Sequence, residues 1–443
     1  MENQVRKPRS NNAIIIKIVF ILIMILLLMI PNFLIQNLIH ERSQRKTEIE
    51  KEVAKSYGQK QKIMSPILRI PYTKSSTNSK GEEYTTNGTV SFSPDETKID
   101  GQVITDTRQR SIYEVVIFDS EYTIESDIYI KKLDANVYYG YNLDYSKAYL
   151  AIGISDPNGL SDESAIKVNG KSIALDGMCD IVCSNLRFVK TLPFTVLPET
   201  TLDLSTHLML KGTKSVLVEP IGNKMQVQLN SPWVDPSFVG TKLPTDHDIN
   251  EDGFKANWVI NKYAHNYPKT WVNDAAALKH NYSFGVNLIQ PIDEYGKNSR
   301  TAKYALLIIA LTFGIFFFFE ILFKKLIHPI QYALVGFALT IFFLLLLSIT
   351  EHLGFDIAYL MSSIATAGLI VGYASFILDS KKATLILALL LAGLFGYIFI
   401  ILQMQDFALL AGALALFVVL AIVMMLSRKV NWYQLSKTET QIS

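Results

Sequence analysis

Residues 300–355 read RTAKYALLIIALTFGIFFFFEILFKKLIHPIQYALVGFALTIFFLLLLSITEHLGF. Two apolar runs flank the basic turn FKKLIHP, and each has the roughly 20 residues that a helix needs to cross a hydrocarbon core. By length and composition this is a membrane hairpin. It separates a long polar region from an almost wholly apolar one, so topology and chemistry both depend on how its two helices sit.

The chain has 443 residues, 49% hydrophobic and 19% charged. Its apolar residues gather in 13–35 and 303–427. Between these blocks lie roughly 260 residues with the polarity of one soluble domain or two small ones. Lys and Arg number 42 against 40 Asp and Glu, for a net charge of +2. That balance lacks the footprint of a nucleic-acid binder.

A basic start, MENQVRKPRSNN, leads into AIIIKIVFILIMILLLMIPNFLI without the short apolar core and small-residue cleavage site of a secretory signal. The segment therefore reads as an uncleaved anchor, with Arg6, Lys7 and Arg9 holding the N-terminus in the cytoplasm. Residues 36–57 keep helix-favouring residues and set Glu41 against Arg45 and Glu48 near Lys51, which predicts a helical stalk with a solvated charged surface.

Beyond Gly58 the period changes to alternation. Tyr122, Ile124, Ile128 and Ile130 share one face of an extended chain, as do Leu202, Leu204, Leu208 and Leu210, and Phe254, Ala256, Trp258 and Ile260 repeat the alternation. Val216 and Val218 followed by Gly222-Asn223 and then Met225, Val227 and Leu229 predict a β-hairpin. Many such strands imply an antiparallel sandwich or open barrel, single or in tandem, with a mobile loop near Ser75–Glu83. The stretch 231–258 carries Trp233, Phe238 and Trp258 among prolines and turn residues and reads as a folded loop packed by aromatics. A surface recognising a lipid or glycan is the sharper alternative to a loop that closes one end of the sandwich. DHDINEDG lacks the ligand run and the terminal glutamate of a calcium loop.

After Arg300 come five apolar spans, about 303–323, 329–349, 355–378, 383–402 and 405–427. Turns bearing Lys324, Lys325, Lys381 and Lys382 alternate with turns that have no Lys or Arg. Positive charge belongs inside, so both termini are expected in the cytoplasm and the polar domain outside it.

Ionisable residues in or beside spans are the first candidates for function, because charge in hydrocarbon is costly. Glu320 precedes Lys324 by one turn, which suits either a snorkelling ion pair or a proton-relay carboxylate. Glu351, His352 and Asp356 share one outer turn, where simple hydration competes with a metal or acid–base site. Gly368 and Gly372 form a small-residue pair suited to close helix contact. Cys179 and Cys183, the two cysteines of the chain, are spaced for neither zinc nor thioredoxin chemistry. A local disulfide and two buried thiols stay open as alternatives. Nucleophile, metalloprotease, P-loop and dinucleotide motifs are not found, nor are the interrupted helix pairs of an inverted-repeat transporter. No catalytic residue, cofactor or metal is expected.

IPNFLIQNLIHER, QKIMSPILRIPYT, SPWVDPSFVGTKLP with GFKANW, and above all the 300–355 hairpin resemble the CreD family of bacterial inner-membrane, cell-envelope-integrity proteins. The resemblance implies a Gram-negative inner membrane, expression under a two-component response to envelope stress, and links to β-lactam response and colicin tolerance. It implies no established catalytic activity, and so no functional residues are carried over.

The expected fold is an α+β membrane protein, with six transmembrane helices and a large antiparallel β-rich extracytoplasmic domain. Residues 1–12 form a cytoplasmic N-terminus, 13–35 the anchor, 36–57 the stalk, 58–300 the periplasmic domain, 301–427 five helices and 428–443 a cytoplasmic tail. The expected function is envelope integrity, with the β domain binding an envelope protein, lipid or glycan. The alternative is a transporter or flippase-like protein acting on an envelope lipid or small molecule. The lipid bilayer is the one expected partner besides these, and the sequence leaves the oligomeric state open.

Overall fold

The computed structural model describes residues 12–77, 80–134, 138–183, 186–273, 280–288, 294–323, 327–404 and 408–428. They form two compact units: Met1–Arg45 joined with Ile292–Ser443, and Lys46–Pro291.

The first unit is helical. It takes the N-terminal part of α1 (Asn12–Tyr57), then α2 (Glu294–Lys303), α3 (Ala305–Phe323), α4 (Pro329–Leu353), α5 (Phe355–Leu378), α6 (Lys381–Gln403) and α7 (Ala408–Arg428). Among the described residues, α1, α4, α5 and α6 are each long and apolar enough to cross a membrane, and α2 with α3 qualify together across a 44° bend. Of the six expected spans, four stand as single helices among the described residues, or five with the bent pair as one. The sixth, 405–427, overlaps α7 and begins at residues outside the described set.

Local chemistry sets the helix boundaries. Pro329 opens α4 at a position whose N–H would have no partner, His328 accepts from the Ile330 N–H at 3.4 Å, and Gln331 accepts from the His328 N–H at 2.8 Å. Gly354, at φ 77°, turns the chain between α4 and α5. The α2–α3 bend strips the Ala302 carbonyl of its helical partner. Asn32 and Gln36 of α1 donate to it instead, at 3.3 and 3.4 Å.

The second unit is a β-sandwich. Its strands begin with β1 (Gln61–Thr77), β2 (Glu83–Phe92), β3 (Glu96–Arg110), β4 (Tyr113–Tyr129), β5 (Tyr141–Leu143) and β6 (Tyr149–Ile154). There follow β7 (Ala165–Val168), β8 (Lys171–Ile173), β9 (Leu175–Cys183), β10 (Leu186–Thr191), β11 (Thr201–Thr213) and β12 (Ser215–Glu219). The last are β13 (Lys224–Ser231), β14 (Pro236–Gly240), β15 (Asp246–Asn250), β16 (Gly253–Asn261), β17 (Thr270–Val272) and β18 (Phe284–Leu288). One sheet of ten strands runs β14-β18-β12-β1-β6-β10-β9, with β2 and β5 pairing with β1 and β17 with β2; one of eight runs β15-β16-β13-β3-β4-β11-β7-β8.

Two pairings depart from the antiparallel expectation: β1 lies parallel to β12, and β3 parallel to β13. The segment expected to be a hairpin causes both. β12 belongs to the larger sheet and β13 to the smaller, so Pro220–Asn223 carries the chain from one layer to the other, and each strand aligns beside an early strand of its own sheet. Gly222 makes this crossing at φ 102°, where a Cβ would lie 2.6 Å from the Pro94 carbonyl oxygen.

Alternation fills the interior from both layers, with Ile63, Leu68, Phe118, Tyr122, Trp258 and Phe284 among its fully buried members. Pro66 sits in the central strand β1, where its missing N–H would break a ladder. A β-bulge between Met64 and Ile67 absorbs it. Two loop expectations are corrected. Pairing of β1 with β2 extends to Thr77↔Glu83, so Ser75–Thr77 are strand rather than mobile loop. The stretch 231–258 holds β14, β15 and the start of β16, because Phe254, Ala256 and Trp258 alternate into the core.

Candidate functional site

Three clusters of charge stand out, two in the helical unit and one in the β unit. In the first, Glu320 near the end of α3 is 3% exposed and forms an ion pair with Lys17 of α1. The Lys17 ammonium also donates to the Ile327 carbonyl at 2.7 Å and lies 5.5 Å from the centre of the Tyr332 ring. Phe313 packs edge-on against that ring at 5.5 Å. A charge in hydrocarbon is tolerated when it is paired and hydrogen-bonded, and a cation over an aromatic face gains further. The expected partner Lys324 lies outside the described residues. The partner the fold supplies is Lys17, and its signal was a lone charge inside AIIIKIVFILIM.

At the other end of the helices, Glu351, His352 and Asp356 do not converge. Glu351 faces the Arg42 guanidinium at 3.7 Å and accepts from the Tyr295 hydroxyl at 3.4 Å. Asp356 lies 3.4 Å from the Lys297 ammonium and accepts from the Gln403 amide at 2.7 Å. Lys297 also donates to the Gln403 oxygen at 3.1 Å and sits 5.3 Å from the Phe355 ring centre. His352 points to solvent. No cluster of three His, Cys, Asp or Glu able to hold a metal exists among the described residues. The reason for the separation is α2, absent from the sequence reading, which places Tyr295 and Lys297 where they draw the two carboxylates apart.

In the β unit, Glu219 ends β12 with no exposed surface. Its carboxylate accepts from the Tyr267 hydroxyl at 2.7 Å and from the Tyr282 N–H at 2.8 Å, and lies 3.4 Å from the Lys62 ammonium. Lys62 reaches Asn281 as well, at 3.3 Å. His265, 7% exposed, accepts from the Tyr267 N–H and bonds the Gly222 carbonyl at 2.9 Å. Burial lowers its pKa below the ordinary histidine value, against the opposing pull of the Gly222 bond. Sequence reading passed over this cluster, since one glutamate closing a run of valines carries no motif. Its signal was polarity in a strand apolar on both faces.

The aromatic candidates pack inward. Trp258 is 1% exposed. Phe238 stands edge-on to it with ring centres 5.9 Å apart, and the Trp233 indole N–H closes on the Asp235 carbonyl at 3.1 Å. Phe238, in β14, and Trp233 are half-buried and pack against the core. Cys179 makes a 3.5 Å contact from its sulfur to the Phe188 carbonyl; the side chain of Cys183 lies outside the described residues, and with it the disulfide alternative. The outer face of the eight-stranded sheet is polar. A depression of about 490 Å³ lined by Lys98, Glu125, Asp127 and Lys167 shares Lys98 and Glu125 with a second of about 410 Å³ lined also by Asp100 and Glu121.

Residues 13–433 match the family described as inner membrane protein CreD. The inner membrane protein CreD of Escherichia coli (strain K12) is 31% identical over 421 residues, covering 94% of this chain and 93% of the relative. Among solved structures, an M1 zinc metallopeptidase from Deinococcus radiodurans matches 43% of this chain and 42% of its own at 13% identity and a TM-score of 0.20. A putative protease from Parabacteroides distasonis matches 67% and 59% at 10% identity and a TM-score of 0.23. Structural likeness at that level carries no argument about activity. Family membership rests on the near-complete match along the sequence: this chain belongs to the CreD family of inner membrane proteins.

Proposed function

We propose that this protein maintains cell-envelope integrity without catalysis: the helical unit is an anchor, and the β unit, on the extracytoplasmic side, binds an envelope protein, lipid or glycan. The observation that carries the reading is the Lys17–Glu320 pair, which joins the first helix to one encoded after the whole β unit. Paired charges of this kind interlock helices. The pairs Arg42–Glu351 and Lys297–Asp356 support the same role at the other end of the bundle. The joined polar depressions on the eight-stranded sheet supply a surface for a hydrophilic partner.

The same buried carboxylate favours the second reading, a transporter acting on an envelope lipid or small molecule, since a titratable group within the bundle is what proton coupling requires. One variant separates them. Lys17→Met with Glu320→Gln removes both charges and keeps volume, and such neutral replacement of a buried pair is often tolerated. For an anchor, the double variant at normal membrane levels complements an envelope-stress phenotype of a strain lacking the protein. Loss of complementation at normal levels sinks the anchor reading in favour of transport.

A further inference from the structure

The ten-stranded sheet buries residues on both faces. Ile63 and Leu68 turn to the interior of the sandwich, whereas Met64, Ile67 and Phe188 form a second, smaller core on the opposite face. Tyr267 and Trp271 cover that outer core at 8% and 5% exposure, and they belong to the segment after β16 that ends in β17. The start of this cover is pinned by His265. Its Nδ1 accepts from the Tyr267 N–H at 3.2 Å, so the hydrogen sits on Nε2 and is donated to the Gly222 carbonyl at 2.9 Å. Both nitrogens are satisfied in the neutral ring alone. A proton added at Nδ1 would confront the Tyr267 N–H donor, inside a site that is 7% exposed.

The surrounding groups do not compensate. Tyr267 and Tyr282 lie beside the imidazole with ring centres at 5.3 and 6.4 Å, and His280 makes a tilted ring contact with Tyr282 at 5.8 Å. The two carboxylates nearby are engaged: Glu219 holds Lys62, Tyr267 and Tyr282, and Asp95 holds Lys269 at 2.6 Å and Asn223 at 2.9 Å.

We propose that His265 is an acid-sensitive latch, which holds the 265–268 segment, between β16 and the β17–β2 pairing, over the outer face of the ten-stranded sheet when neutral and releases it when protonated. Release uncovers Met64, Ile67 and Phe188 together with the Lys62–Glu219 pair, an apolar patch around a charged centre. The direction of the titration agrees. Burial lowers the folded-state pKa, so the closed form holds its full advantage above the ordinary value of about 6.5 and loses it as pH falls through the lowered one. The latch goes beyond the anchor-and-binding reading and does not depend on it.

The test is hydrogen exchange on the full-length protein in nanodiscs from pH 7.5 to 5.0, corrected for intrinsic exchange. Protection of the amides of residues 265–267, the Tyr267 N–H above all, is expected to fall at least tenfold across this range while β4, β11 and β17 stay protected. In His265→Asn and His265→Gln, which cannot titrate, the segment should show one level of protection at every pH, whether high or low. A wild-type protein without a step, or a step that persists in both variants, overturns the latch.

Discussion

A Cβ on Gly336 of α4 would lie 2.3 Å from Leu28 Cδ1 of α1, with Phe313 Cζ of α3 at 3.0 Å. Leu28 is fully buried, and α1 packs closely against α3 and α4 at this point. Lipid tails offer little hydrophobic gain between helices, and such contacts depend on small residues and tight packing. Gly336→Ala should therefore lower the thermal unfolding temperature of the detergent-solubilised protein, at an overpacking cost of about 1–3 kcal/mol. Adding Leu28→Ala should recover part of the loss in a double-mutant cycle, whereas Gly368→Ala and Gly372→Ala, with open space at their Cβ positions, should change it little.

Glu219 gathers a cation, a hydroxyl and a backbone N–H at no exposure. Glu219→Gln removes the carboxylate that lies 3.4 Å from the buried Lys62 ammonium and should cost about 3–5 kcal/mol. Denaturant unfolding followed by exchange at β12 and β18 checks this, and a variant as stable as the wild type would show that the pair is solvated.

Tyr57, the last residue of α1, donates to Asp119 at 2.9 Å beneath Arg108 and Lys211, each 5.6 Å from its ring. Partial burial first, and then the Asp119 bond, pushes its phenol up to about 12. Tyr57→Phe should cost about 0.5–1 kcal/mol at neutral pH. Because the folded-state value exceeds the ordinary one of about 10, the contribution is complete below pH 10 and fades as pH rises toward 12. The gap in unfolding midpoint between wild type and Tyr57→Phe should hold constant from pH 7 to 9.5 and then narrow.

Asp356 is 56% exposed beside Lys297, so Asp356→Asn should cost less than about 1 kcal/mol. His352→Ala should be silent, and a chelator should leave the unfolding temperature unchanged. A chelator-induced drop of several degrees would restore a metal to this turn.

Periodicity and length made much of the fold readable in advance. Alternation at 122–130 and 202–210 marked β4 and β11, which pair along Thr201–Thr213, and the apolar runs after Arg300 marked α3 to α6. What escaped was decided by distant partners. Gly222-Asn223 has the chemistry of a tight hairpin, yet which layer receives β13 depends on β3, so local signals predicted a pairing that tertiary contacts replaced. Trp258 carried two signals, a place in a stretch rich in turn residues and the alternation with Phe254, Ala256 and Ile260, and the alternation is the one that the core follows. Among the site candidates, Glu320 was recognisable as a charge that needed a partner. The identity of Lys17 was not, because the nearer Lys324 satisfied the same rule by sequence spacing.

The Lys17–Glu320 pair also sets an order of events during synthesis. A ribosome working at roughly 5–20 residues per second makes the carboxylate on the order of 15–60 s after the lysine. Throughout that interval Lys17 lacks the carboxylate that it pairs with in the complete fold, and its flexible stem lets the ammonium reach toward the membrane surface. The pair therefore closes only once α3 has been made, after the whole β unit.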